Sequence, residues 1–175
     1  MKSRGFTLLE LMVALAVLGI AIGIALPAYS GLIDRQKIDS SLDVLLRGLK
    51  SARQEAIELN RPITVAPASA GDWSVGWRMF IDRNGNGRFD AGEPLLREEL
   101  QPTPVVVHAT SSIAQYVRYN AQGESELLNG GFQAGTFRFC PQDASSKGRL
   151  LVMNRVGRLR TASEVIAASY CSAAN

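Results

Sequence analysis

Any chemistry in this chain has to come from a few side chains, and the most conspicuous lie near its end. Asn154-Arg155-Val156-Gly157-Arg158-Leu159-Arg160 crowds three guanidiniums around one glycine. Asn154 to Gly157 reads as a four-residue turn with glycine last, joining two strands. If residues 158–160 are extended, Arg158 and Arg160 project from one face, about 6.5–7 Å apart, and Leu159 points into the core. Two guanidiniums in a row bridge phosphates along a nucleic-acid backbone without reading its sequence. Arginines on an edge strand also serve a plainer end, deterring edge-to-edge association.

A second constellation is DRNGNGRFDAGE, residues 82–93. It fits the calcium-loop pattern D-x-[DN]-x-[DN]-G-x5-E, with oxygens from Asp82, Asn84, Asn86, the Arg88 carbonyl, Asp90 and Glu93. The flanking runs WRMFID and PLLREEL look like strands, whereas an EF-hand needs helices. The same residues therefore also read as a hairpin loop whose Asn-Gly and Asp-Ala-Gly steps supply left-handed turns. Cys140 and Cys171 are the only cysteines. Outside the cytosol such a pair suits one disulfide across a loop of about 30 residues, tying down the terminal segment; two free buried thiols are the alternative. His108 is the sole histidine, so a zinc site would have to recruit carboxylates. No Ser-His-Asp order, CxxC or phosphate-cradling glycine loop is present, and nothing supports an enzyme.

Composition sharpens the arginine question. The chain has 175 residues, 19 basic and 16 acidic, a net charge of +3. That balance excludes a general polyanion binder, so any basic function must be local. From Cys140 onward, Lys147, Arg149, Arg155, Arg158 and Arg160 face only Asp143 and Glu164, which puts the whole formal excess in the last fifth. Tyr170 is the only aromatic in that stretch. DNA contact there would be backbone-directed, weak for a single chain and strongly salt-dependent.

These groups must be positioned by the rest of the chain. After Lys2 and Arg4, Phe6 to Leu26 is an apolar run interrupted by one charge, Glu10. Its 21 residues span roughly the 30 Å of a bilayer core, and the basic flank keeps the N-terminus cytoplasmic. A secretory signal peptide is the alternative, but no clean small-x-small site follows and a helical pattern continues. A carboxylate inside such a segment marks a function by default. Ile38, Leu42, Leu45, Leu49, Ala52, Ala56 and Leu59 then recur at spacings of four and three, one apolar face of a helix. Asn60-Arg61-Pro62 ends it. From Ile63, ITVA, WSVGWRMFID, PLLREEL, PVVVHA, QYVRYN, TFRFC and RLLVMN read as short strands separated by turn residues.

Gly5-Phe6-Thr7-Leu8-Leu9-Glu10, after its basic leader, resembles the N-terminal signature of type IV pilins and type II secretion pseudopilins. The resemblance implies cleavage after Gly5 by prepilin peptidase, methylation of the new N-terminal Phe6, and a role for Glu10 in registering subunits in a filament. A buried carboxylate becomes tolerable when it pairs with a neighbour's terminal amine. GW-x-x-F-x-D-x-N-x-N-G-x-x-D-x-G-E-x-L-L, from Gly76 to Leu96, resembles the GspH/FimT group of minor pilins and pseudopilins. It implies an α+β, type IV pilin-like fold: a long N-terminal helix, half transmembrane and half amphipathic, on an antiparallel β domain of two small sheets. The implied organisation is a leader at 1–5, a membrane and filament-core helix at 6–33, and a periplasmic part at 34–175.

On this resemblance the chain is a minor type IV pilin at or near the filament tip, single-pass in the inner membrane before assembly and later on the cell surface. Its implied partners are other minor pilins, the major pilin, the inner-membrane assembly platform and prepilin peptidase. A minor pseudopilin of a type II secretion system is the alternative. No cofactor is implied beyond the calcium reading of the loop. Gly157-Arg158-Leu159-Arg160 also resembles the GRxR motif of the FimT branch, where it belongs to DNA capture in natural transformation. An assembly subunit can carry the same four residues, so both uses stand at this point.

Overall fold

The computed structural model describes residues 8–141 and 147–171, leaving the side chains of 23–30 outside that description. Its contacts divide the chain into two units, Met1–Gln36 and Lys37–Asn175.

Helix α1 (Leu8–Glu58), which begins in the first unit, carries Glu10 in its first turn. Leu8, Leu9, Leu11, Met12, Leu15, Leu18 and Ile20 are all exposed along it. Among the described residues no helix is long and apolar enough to cross a membrane. Gly5 and Phe6 lie outside the described residues.

The second unit holds the core. Ile38, Leu42, Leu45, Leu49, Ala52 and Ala56 are buried, as the four-three spacing requires, each large side chain contributing on the order of 2 kcal/mol. Leu59 departs from the expected seam and is exposed, because the helix has already ended. Asn60 takes a left-handed conformation at φ 48. Its N–H donates to the Ile57 carbonyl at 3.3 Å and the Arg61 N–H to the Ala56 carbonyl at 3.2 Å, the paired bonds of a Schellman cap.

Eight described strands follow: β1 (Ile63–Ser69), β2 (Asp72–Phe80), β3 (Leu95–Glu99), β4 (Val107–Ala109), β5 (Val117–Tyr119), β6 (Gly135–Phe139), β7 (Lys147–Met153) and β8 (Leu159–Val165). They form two antiparallel sheets, ordered β3-β2-β1-β5 and β4-β6-β7-β8. Both turn apolar side chains, among them Val65, Trp77, Phe137 and Leu151, into one core with the α1 seam. The helix sits close: a Cβ on Gly48 would lie 2.7 Å from Cη2 of the Trp77 indole. Two elements are shorter than their sequence runs. PVVVHA yields ladder pairing only over β4, although the Cys140 N–H still donates to the Val106 carbonyl at 3.0 Å. QYVRYN yields only β5. Two single-turn helices, α2 (Ser111–Ala114) and α3 (Ala168–Cys171), had no periodic signature to betray them.

Candidate nucleic-acid interface

The arginine segment is the hairpin between β7 and β8. The Gly157 N–H donates to the Asn154 carbonyl at 2.9 Å, closing the turn, and Gly157 adopts φ 74, where any other residue is strained. The Asn154 side chain accepts from the Arg158 N–H at 2.9 Å, and the Asn154 N–H donates to the Arg158 carbonyl at 3.1 Å. A Cβ on Gly157 would stand 2.6 Å from the Gly123 carbonyl oxygen, so the turn is pressed onto its neighbour. Beneath it lies Tyr119, whose phenol is pushed well above its ordinary range by burial. From α1, Arg53 donates through Nε to the Gly123 carbonyl at 2.7 Å and through Nη2 to the Val156 carbonyl at 3.3 Å. One guanidinium thus staples both turns to the helix.

Register decides which arginines face outward. β7 pairs with β8 as Val152↔Arg160 and Met153↔Leu159. Leu159 packs against the main core. Arg158 and Arg160 are exposed on the opposite face and, with Val152 and Asn154, line an open groove of about 300 Å³. Neither makes an ion pair with a described residue.

The other basic residues of the segment do not all join them. Arg149 shares the face of Leu159, and its Nε and Nη2 donate to Asp39 Oδ1 and Oδ2 on α1 at 2.6 and 3.2 Å. That bidentate contact raises the guanidinium pKa further and commits the residue to the helix. Lys147 is on the same face, about 17 Å along the strand from Val152, the partner of Arg160. Arg155, in the turn, stays near the pair and lies over the ring of Phe132 at 5.2 Å. Phe132, Arg53 and the buried Gln133 belong to this surface and escaped sequence reasoning. Phe132 follows two glycines outside any alternating run, so the only signal was an aromatic in a polar stretch.

The 82–93 loop folds around its own acids. Asp82 accepts from the N–H groups of Gly85, Asn86 and Gly87, at 2.7 Å from Gly85 and 2.8 Å from Gly87. Glu93 accepts from the Arg83 and Asp90 N–H groups at 2.9 and 3.1 Å. The side-chain amides of Asn84 and Asn86 donate to Asp90 Oδ2 at 2.8 and 2.6 Å and hold its pKa below the usual carboxylate value. Among the described residues no group of three or more His, Cys, Asp or Glu side chains is arranged to hold a metal ion. At the far end of the second sheet Cys140 and Cys171 are joined in a disulfide, with Cα atoms 5.6 Å apart. A small satellite core of Cys140, Leu150 and Ile166 lies beside it.

A family model described as type II transport protein GspH matches residues 42–157, more than half of the chain. The chain belongs to the GspH family. A second model, the prokaryotic N-terminal methylation motif, matches residues 1–26, which makes this GspH-family protein pilus- or membrane-associated. The pilin-like protein PilA1 of Thermus thermophilus is 38% identical over 93 residues, covering 53% of this chain and 57% of that protein. A fimbrial protein of Moraxella nonliquefaciens is 45% identical over 49 residues, covering 28% and 31%. The chain therefore spans between about a third and just over half of these relatives. The crystal structure of the minor pilin FimU of Pseudomonas aeruginosa aligns with a TM-score of 0.55 and 21% identity over 71% of this chain and 91% of that one. At that identity the likeness shows a shared fold, the type IV pilin fold. The GspH-family chain is thus a type IV pilin-like subunit, of a class whose members are structural proteins. The family match ends at Gly157, so Arg158 and Arg160 lie beyond what it accounts for.

Proposed function

We propose that this chain is a minor subunit of a type IV pilus, at or near the filament tip, and that Arg158 and Arg160 hold the phosphate backbone of DNA during uptake. The observation that carries the DNA part is the arginine pair itself: two exposed guanidiniums at the start of β8, in one groove, neither ion-paired to a carboxylate among the described residues. The N-terminal part of the reading is cleavage after Gly5, methylation of Phe6 and registration through Glu10. The exposed apolar side chains of α1 from Leu8 to Ile20 support it, because such a surface needs lipid or neighbouring helices. On this reading the segment 6–33, part of which lies outside the described residues, crosses the inner membrane once and residues 34–175 face outward until assembly. Other pilins, the assembly platform and prepilin peptidase are the partners.

The test uses the full-length chain in detergent micelles and labelled duplex DNA at low salt. Two phosphate contacts predict that the affinity of wild type falls with a log–log salt slope of about −2. Arg158→Gln with Arg160→Gln should abolish both binding and slope. If wild type and double variant behave alike, the DNA role is refuted. A minor pseudopilin of a type II secretion system is the second reading, favoured by the description of the matching family model, and it expects no DNA binding at all.

A further inference from the structure

Beside the arginine turn, in contact with Arg155, lies a feature that phosphate contacts leave unused. Phe132 is 69% exposed, the most exposed large apolar side chain among the described residues of the second unit. Exposed aromatics on loose loops mean little, but this one stands on a fixed backbone. Its neighbour Gln133 is fully buried and satisfies its amide three times: Nε2 donates to the Ser112 and Tyr116 carbonyls at 2.8 and 2.9 Å, and Oε1 accepts from the Arg118 N–H at 3.0 Å. Phe132 pairs with Glu126 in an isolated bridge, and Ser125 Oγ reaches the Gln133 carbonyl at 2.7 Å and the Asn154 carbonyl at 3.0 Å. The hydroxyl thus joins the Phe132 segment directly to the first residue of the arginine turn. Strand alternation then does the rest: with Gln133 locked inward, Phe132 is forced outward.

The side chain above it is Arg155, whose guanidinium lies over the ring at 5.2 Å. Guanidinium on aromatic is the arrangement on which nucleobases stack, since a base offers the same kind of π-face as the ring. The local charge suits a polyanion. Arg155, Arg158 and Arg160 lie within six residues, Glu126 is engaged by Arg118 at 3.3 Å, and Glu124 in the adjoining turn offsets one of the three. A purely phosphate-reading surface has no use for a rigidly presented phenyl ring.

We propose that Phe132 and Arg155 form a stacking platform for an unpaired base, so that the site prefers single-stranded DNA or a frayed end over intact duplex. In a duplex the base faces are occupied by their neighbours and only the arginine pair engages; in a single strand a base swings out onto Phe132 while Arg158 and Arg160 hold the flanking phosphates. This rests on the DNA reading above and adds to it which form of DNA is held and by what.

The test compares labelled oligothymidine of about 20 nucleotides with a duplex of the same length, by fluorescence anisotropy at low salt on the full-length chain in detergent. Phe132→Ala should weaken single-strand binding roughly 5- to 150-fold and leave duplex binding within a factor of about two. The thermal midpoint should hold, since an exposed ring adds little to the core. Phe132→Trp should restore single-strand binding, and its fluorescence should be quenched as the strand is added, because Trp73 and Trp77 are buried and contribute a constant background. If Phe132→Ala weakens both forms equally, or neither, the stacking platform is overturned while the arginine pair stands. If wild type binds neither form, both inferences fall together.

Discussion

Replacing Gly48 with alanine sets two effects of opposite sign against each other. Gly48 lies in the interior of α1, where glycine is about 0.8–1 kcal/mol worse than alanine. On propensity alone the substitution stabilises. The added methyl, however, would sit 2.7 Å from Cη2 and 2.9 Å from Cε2 of the Trp77 indole, well inside van der Waals contact. Trp77 cannot swing aside cheaply: it is buried in the main core, and Arg97 lies over its ring at 5.8 Å. Overpacking a closed core costs roughly 1–3 kcal/mol or more. The balance is a net loss of up to about 2 kcal/mol, or a fall of up to about 8 °C in the melting midpoint for a domain of this size. Circular dichroism in the tryptophan region reads both the midpoint and the tilt of the indole. Trp77→Phe should itself destabilise, yet in that background Gly48→Ala should cost less, because the colliding ring has gone. A midpoint that rises on Gly48→Ala would refute the reasoning, showing that helix and sheet separate freely and that propensity governs.

Cys171→Ser, or reduction of the wild type, should lower the midpoint by about 10 °C, since closing a loop of 31 residues removes about 3–4 kcal/mol of unfolded-state entropy; melts with and without dithiothreitol check it, and identical curves would dismiss the strap as a stabiliser. Asp90 titrates below its ordinary 3.8 because the Asn84 and Asn86 amides bond its charged form. Its contribution to loop order is therefore complete above about pH 4 and lost as pH falls through the depressed value. Carboxyl-carbon NMR should place its midpoint under 3.8, with the two side-chain amide resonances moving together; a midpoint at or above 3.8 would show that the three side chains are not joined in solution.

The parts of this fold that were legible in the sequence are those governed by a short period. Ile38 to Ala56 repeats at four and three, and all six positions are buried. The turn at 154–157 announced itself by its terminal glycine, and strand parity then separated Leu159 from Arg158 and Arg160. The illegible parts depend on partners far away in the chain. Arg149 looked like a member of the basic cluster because it is near in sequence, yet its partner is Asp39, 110 residues earlier. Leu59 continued the heptad on paper, but the left-handed Asn60 ends the helix first. Phe132 sits in a stretch held by isolated bridges and a buried glutamine, none of which leaves a periodic trace. Sheet order likewise escapes local reading, because β5 crosses to β1 and β4 to β6.

The edge strand that bears the arginines is fastened covalently at both ends. One end runs straight through the turn at 154–157 into β7; the other passes into the short helix whose Cys171 is bonded to Cys140 at the close of β6. Edge strands normally fail under load by peeling from a free end, one hydrogen bond at a time. Here there is no free end to start from, and under the proposed DNA role a pull on Arg158 and Arg160 would pass into β7 through the turn and into β6 through the disulfide. On the DNA role proposed above, the bond that pins the tail would also be a mechanical stop, and its value should grow with the force on the DNA rather than with temperature.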